Sequence, residues 1–334
     1  MDGVCSCAPL ALGSTRGSGR CRLSDRKGDL PRGRRRAEER AVGLPVRGPV
    51  LTSPFLEAQG TENGDPSLAR AREEVEELIQ QAQQIDPTLH VSLHARDLDD
   101  GPWIGIDERE RYPPASLSKV AILVYTLRRE ESDPGFLEQE VVFPGPDMMF
   151  GDDSMMGAPD SLRLRTGERY SYRDLLRRMI AYSDNFATQM LMDEDTGTGL
   201  ERMLYSLSAE QSFQDGTLSV DARTVAGLLR VLYNSSFLSR QHSEFALELL
   251  TESYFADGLR RLLPTDVVVA SKFGFHGSEA AGRLHHELHE CGIIYRPRSP
   301  YVICVMTRTD RSSPESLDEL VGEISRIVWA QQTD

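Results

Sequence analysis

The chain predicts an α+β fold, in which an antiparallel sheet is covered by helices from both ends and an all-helical part is inserted between its strands. Three observations predict it. Apolar residues recur at helical spacing near both ends, strand patterns occur in two separate places, and the stretch between them is mostly helical. No internal repeat is evident.

In chain order, Leu68, Val75, Leu78, Ile79, Ala82 and Ile85 mark a first helix that begins near Ser67 and stops at Asp86-Pro87. Leu89, Val91, Leu93 and Ala95 alternate with polar residues, as a half-buried strand does. Asp99-Asp100-Gly101 then turns the chain into a second strand around Trp103 to Ile106. Residues 117–127 are apolar nearly all round, which places that helix at the centre of a domain. Ser171 can cap a helix with the stripe Tyr172, Leu175, Leu176, Met179 and Ile180, and Asp174 lies in its first turn. Val225, Leu228, Leu229 and Leu232 mark another helix. The Met-rich stretch Asp147 to Ser161 reads as a long loop whose methionines fill gaps against the body. Val267 to Val269 runs as a strand into Lys272, and Cys291 to Tyr295 pairs with Tyr301 to Met306. Ser313-Pro314 opens a closing helix with Leu317, Leu320, Val321, Ile324, Ile327 and Val328 inward.

Bulk properties exclude several roles. The 334 residues carry a net charge of −14, and the mean hydropathy is −0.39. No stretch reaches the apolar length needed to cross a bilayer. The acidity argues against a nucleic-acid partner and against attraction to anionic membranes. Residues 1–50 differ from the rest, with eleven basic side chains against five acidic and the run Arg34-Arg35-Arg36. Residues 1–65 are expected to form a disordered basic tail irrelevant to the fold. Ala8 to Leu12 is too short and interrupted for the apolar region of a secretory signal, so location stays open. Cys5, Cys7 and Cys21 lie in the tail. Cys291 and Cys304 lie in the body and are expected to be ordinary small core residues rather than a disulfide.

The chemistry is carried by lysines. The chain has only three: Lys27 in the tail, Lys119 in Ser116-Leu117-Ser118-Lys119, and Lys272 in Lys272-Phe273-Gly274. Arginine stays charged at any ordinary pH, whereas a buried lysine shifts its pKa readily and can act as a base. Residues three apart share a helical face, so the amine of Lys119 is expected within reach of the Ser116 hydroxyl. A desolvated amine beside another cation is neutral enough to take the serine proton. Ser116 also opens an apolar helix, where an unpartnered ammonium is costly. Ser183-Asp184-Asn185 places a hydroxyl and a carboxamide at a helix end, fit to relay a proton and hold an amide. Gly274 permits close backbone approach on a strand edge.

These three elements, in this order on helix, helix end and strand, resemble the active-site serine β-lactamases and penicillin-binding proteins, class A in particular. The resemblance covers residue 66 to the end. It implies a β-lactamase/DD-peptidase-like catalytic domain over 66–334, with a sheet part at 66–115 and 257–334 and a helical part at 116–256. It further implies that Ser116 is the acylated nucleophile, Lys119 its base, Ser183 the proton relay to the leaving nitrogen and Lys272 the partner that depresses the pKa of Lys119 and anchors a carboxylate. Asn185 would hold the substrate amide, and the N–H groups of Ser116 and Phe275 would form an oxyanion hole beside Gly274. The implied substrates are β-lactams or D-Ala-terminated peptides, with no cofactor and no metal. A monomer is expected, and the family's usual place is extracytoplasmic.

Two departures stand out. Phe273 replaces the hydroxyl residue usual in the third motif, and Ser271 alternates to the opposite face of the strand. Leu207 to Arg223 lacks the Glu-x-x-Leu-Asn loop whose glutamate activates the deacylating water, and Glu210 is its sole glutamate. A long-lived acyl-enzyme, or a binding module that keeps the scaffold, follows as the alternative. One competing constellation exists: a strand over 283–291 puts His285, Glu287, His289 and Cys291 on one face, where zinc could bind. Ordinary strand-edge polar residues are the expected reading there.

Overall fold

A computed structural model describes residues 66–99, 101–149, 160–192, 198–207, 209, 212–214, 217–280, 283–297 and 299–331. The basic tail, most of the Met-rich stretch and Glu210 lie outside the described residues. The elements run α1 (Pro66–Ile85), β1 (His90–Asp97), β2 (Trp103–Ile106), α2 (Ser118–Ser132), β3 (Glu140–Val142), β4 (Arg169–Ser171), α3 (Tyr172–Ala181), α4 (Asn185–Met192), α5 (Thr198–Ser206), β5 (Ser212–Gln214), β6 (Thr217–Ser219), α6 (Ala222–Tyr233), α7 (Arg240–Thr251), β7 (Val269–Ala280), β8 (Arg283–Ile294), β9 (Tyr301–Thr309) and α8 (Pro314–Gln331).

The main sheet has the order β2-β1-β9-β8-β7, with every neighbouring pair antiparallel. First and last strands by sequence thus meet at β1–β9, where Leu93 pairs with Val305. The alternation read from the sequence decides which side chains go where. Val91, Leu93, Ala95, Ile303 and Val305 face one way and pack with Leu68, Val75, Leu317, Val321 and Ile324 of α1 and α8. Ala270, Ile293, Val302 and Met306 face the other way and join the helical block, whose central α2 buries Val120 to Val124. An apolar surface all round a helix has no stable place except inside such a block.

Local signals act as expected in several elements. Ser171 caps α3 by accepting from the Asp174 N–H at 3.1 Å. Asp221 caps α6 by accepting from the Thr224 N–H at 2.7 Å. One expectation is overturned. Cys291 and Cys304 are cross-strand partners in the β8–β9 register, and their sulfurs are bonded. The reason is register: spacing alone does not say that these two residues stand directly opposite each other.

Candidate active site

The site is built where α2, the α3–α4 corner and β7 meet. Ser116 lies in a 3-10 turn, Ala115–Leu117, that precedes α2 rather than inside the helix itself. Ala115, just before it, has φ of 45°, a left-handed conformation uncommon outside glycine. The turn is locked locally. The Leu117 N–H donates to Pro114 O at 2.9 Å, and the Ser118 hydroxyl donates to Ala115 O at 2.9 Å. Ser118 thus points back along the turn, away from the amine of Lys119.

Strand β7 passes directly against this turn. A side chain at Gly274 would bring its Cβ to 3.0 Å from Ser116 N, 3.1 Å from Pro114 O and 3.2 Å from the Ala115 Cβ. Only glycine leaves that approach open, so the strand edge and the Ser116 N–H face each other across a gap of backbone dimensions.

Lys119 and Lys272 are both buried, with relative exposures of 3% and 0%. Lys119 Nζ donates to Ser183 O at 2.6 Å, Ser183 Oγ at 3.0 Å and Asn185 Oδ1 at 2.8 Å. Lys272 Nζ donates to Ser183 Oγ at 3.1 Å and Phe273 O at 2.8 Å. Two amines therefore converge on one hydroxyl, that of Ser183. The spacing argument named Ser116 as the partner of Lys119 and did not foresee the α3–α4 corner, where the amine meets Ser183 and Asn185. A buried amine needs polar partners, and the corner supplies three oxygen atoms for it.

The corner is itself strained. Ser183 has φ of 56°, which turns its carbonyl and hydroxyl together toward the amines. Asp184 is buried beneath it and accepts from the Ala187 N–H at 2.9 Å, so it caps α4. Burial raises the pKa of the Asp184 carboxyl, against the opposing pull of the Ala187 N–H. Burial, and then the neighbouring Lys119, push Lys272 well below the ordinary lysine pKa.

The two departures acquire a geometry. Phe273 is buried and stacks on Phe255, with ring centroids 4.5 Å apart, and its ring lies 4.0 Å from Lys272 Nζ. Ser271 donates to Glu290 Oε1 at 2.7 Å on the far side of the strand. Phe275 is half-buried, packed toward His286 with ring centroids 6.0 Å apart. In the segment before α6, Asp221 is taken up by the cap. The histidines of β8 do not gather as a metal site: His289 Nε2 lies 3.0 Å from Pro113 O, His285 pairs with Asp310 at 2.8 Å, and Cys291 is bonded to Cys304. Among the described residues no group of three or more His, Cys, Asp or Glu is arranged to hold a metal ion.

A family model described as the beta-lactamase enzyme family matches residues 70–332. The chain belongs to that family. Beta-lactamase 1 of Streptomyces cacaoi is 25% identical over 259 residues, which span 72% of this chain and 78% of that protein. Among solved structures, PBP-A superposes with a TM-score of 0.67 at 21% identity, covering 79% of this chain and 96% of that one. A β-lactamase from Chitinophaga pinensis superposes with a TM-score of 0.69 at 19% identity, covering 79% and 100%. A PBP-A mutant has been solved as an acyl-enzyme complex with penicillin G. At these identities the solved structures show the fold, that of β-lactamases and DD-peptidases. No helix among the described residues is long and apolar enough to cross a membrane.

Proposed function

We propose that the protein is a serine hydrolase that forms an acyl-enzyme on Ser116, acting on β-lactams or D-Ala-terminated peptides, with residues 66–334 as its catalytic domain. The observation that carries this reading is the convergence of two buried amines on Ser183 Oγ, one of them from the strand that also runs against Ser116 at Gly274.

The contacts around the two amines support the following roles. Lys119 is the proton acceptor for the Ser116 hydroxyl, and the nearby Lys272 lowers the cost of its losing a proton. Ser183 accepts from both amines, which occupies both lone pairs of its oxygen and leaves its O–H to donate outward. That is the arrangement needed to pass a proton to a leaving nitrogen. Asn185 accepts from Lys119 through its Oδ1, which fixes the carboxamide beside the amines, where it would meet a substrate amide. The N–H groups of Ser116 and Phe275 receive the oxyanion across the gap that Gly274 keeps clear.

Within this class the protein is a slow deacylator, of the penicillin-binding kind. The observation that favours this is the commitment of Asp221 to a helix cap, in a segment with no Glu-x-x-Leu-Asn pattern. Incubation of the full chain with a fluorescent penicillin, followed by intact-mass timing, tests both parts. A Ser116-dependent adduct that persists for many minutes is expected. An adduct retained in Ser116→Ala rules out the nucleophile, rapid loss of the adduct restores an efficient β-lactamase, and no adduct with hydrolysis of no ester or amide leaves a binding module.

A further inference from the structure

We infer that His289 is a positioning residue that fixes the Ser116 turn against the sheet. The inference rests on the acyl-enzyme reading above, and it assigns a task to a histidine outside the three motifs. Pro113 and Pro114 lead into the turn, and proline has no backbone N–H. That stretch can be tied down only through its carbonyls. Three of the four carbonyls from 113 to 116 are held from within the turn: Pro114 O by the Leu117 N–H, Ala115 O by the Ser118 hydroxyl and Ser116 O by the Ser118 N–H. The fourth, Pro113 O, is held from the sheet by His289 Nε2 at 3.0 Å.

The imidazole is suited to this. His289 is fully buried, and its Nδ1 accepts from the Thr307 N–H at 3.3 Å. Pro113 O can only accept, so the ring proton at that contact sits on Nε2. Tyr112 packs edge-on to the ring with centroids 5.4 Å apart, and the Tyr112 hydroxyl is held in turn at 3.0 Å from Ser92 Oγ. The nearest Glu287 oxygen lies 3.9 Å from Nε2, beyond hydrogen-bond range.

Register gives the contact its purpose. His289 pairs with Gly274 across β8 and β7. The sheet therefore grips the turn at two neighbouring points. Gly274 comes up against Ser116 N by having no side chain, and His289 binds Pro113 O, three residues upstream. The second grip sets the width of the gap at the first, where the acyl oxygen is received. Loss of the grip slows acylation without weakening substrate binding, because a small misplacement acts on the transition state.

The test compares His289→Gln with His289→Asn in the full chain, with fluorescent penicillin as the probe and thermal melting as a check on folding. A glutamine amide reaches the Nε2 position and keeps the donor, whereas asparagine reaches only the Nδ1 position. The limiting acylation rate is expected to fall about tenfold or more in the asparagine variant and to stay within about threefold in the glutamine variant. Apparent dissociation constants should change less than about twofold in both. Equal rates in both folded variants, whether fast or slow, overturn the proposal. Nitrogen-15 NMR of the wild type gives an independent reading: a proton on Nδ1 of His289 sinks the positioning role whatever the labelling shows. A wild type that acquires no adduct sinks the acyl-enzyme reading, and the role of His289 falls with it.

Discussion

Strand β7 carries two buried polar clusters, one on each side, and they are built on opposite rules. Away from the helical block, Glu290 accepts from the Ser271 hydroxyl at 2.7 Å and the Leu259 N–H at 2.7 Å. Arg260, whose charge acts on Glu290, donates to Val269 O of the sheet and to Thr251 O at the end of α7. Every partner there complements the carboxylate. Toward the helical block, two like-charged amines share one hydroxyl beside two residues with left-handed backbone, Ala115 and Ser183. The first cluster surrounds a carboxyl, whose pKa burial raises, with hydrogen-bond donors and an arginine that oppose that rise. The second keeps two amines and two strained residues together, which fits the acyl-enzyme role proposed above.

The difference can be broken by exchanging the consequences of mutation. Lys272→Met should lower the acylation rate by about a hundredfold or more, with a melting temperature unchanged or raised, because an apolar chain of similar volume replaces a repelled cation. A large loss of stability in that variant would make the amine cluster structural. Glu290→Ala should do the reverse, costing on the order of 3 kcal/mol in urea unfolding while acylation per folded molecule stays close to wild type. Selective loss of activity there would erase the distinction.

Acid titration sharpens the comparison, because it separates single buried groups from coupled ones. Burial lowers the pKa of His289 from 6.5 to about 4, and that of His94 to about 3. The unfolded imidazoles take up a proton near pH 6.5 that the folded ones refuse until far lower. Their stability is thus whole above pH 6.5 and is lost as the pH falls toward 4, at about 3 kcal/mol for His289. Urea unfolding at a series of pH values checks this, and His289→Gln should flatten the acid limb. The smallest effect is expected from Gly274→Ala, which meets Ser116 N and Pro114 O at tight contact distances. About tenfold slower acylation with little change in melting would match a gap that admits no side chain at position 274. An unaffected rate would mean that the gap takes no part in the reaction.

Much of this molecule could be read in advance because its signals are local. The Ser171 cap and the apolar girth of α2 depend on neighbours within a few residues, whereas β1, whose alternation reads as half-buried, is buried on both faces from Val91 to Asp97 because the helical block covers its polar side. Residues that act across the fold were less legible. His289 was visible only as a strand residue with a possible metal role, although the prolines at 113 and 114 already announced a stretch in need of a distant donor. Glu290 was indistinguishable from a solvated strand residue, and the short strands β3 to β6 carry too few residues for a period to show.

Sequence by itself determined the family, the order of the elements and the motifs that contain Ser116, Lys119, Ser183 and Lys272, because motif spacing and side-chain periodicity are properties of the chain. Tertiary structure decided the pairings. It sent Lys119 to Ser183 and Asn185, bonded Cys291 to Cys304 and gave His289 to Pro113 O. Those choices turn on strand register and on how many acceptors surround a dry amine, and both are settled only when distant segments meet.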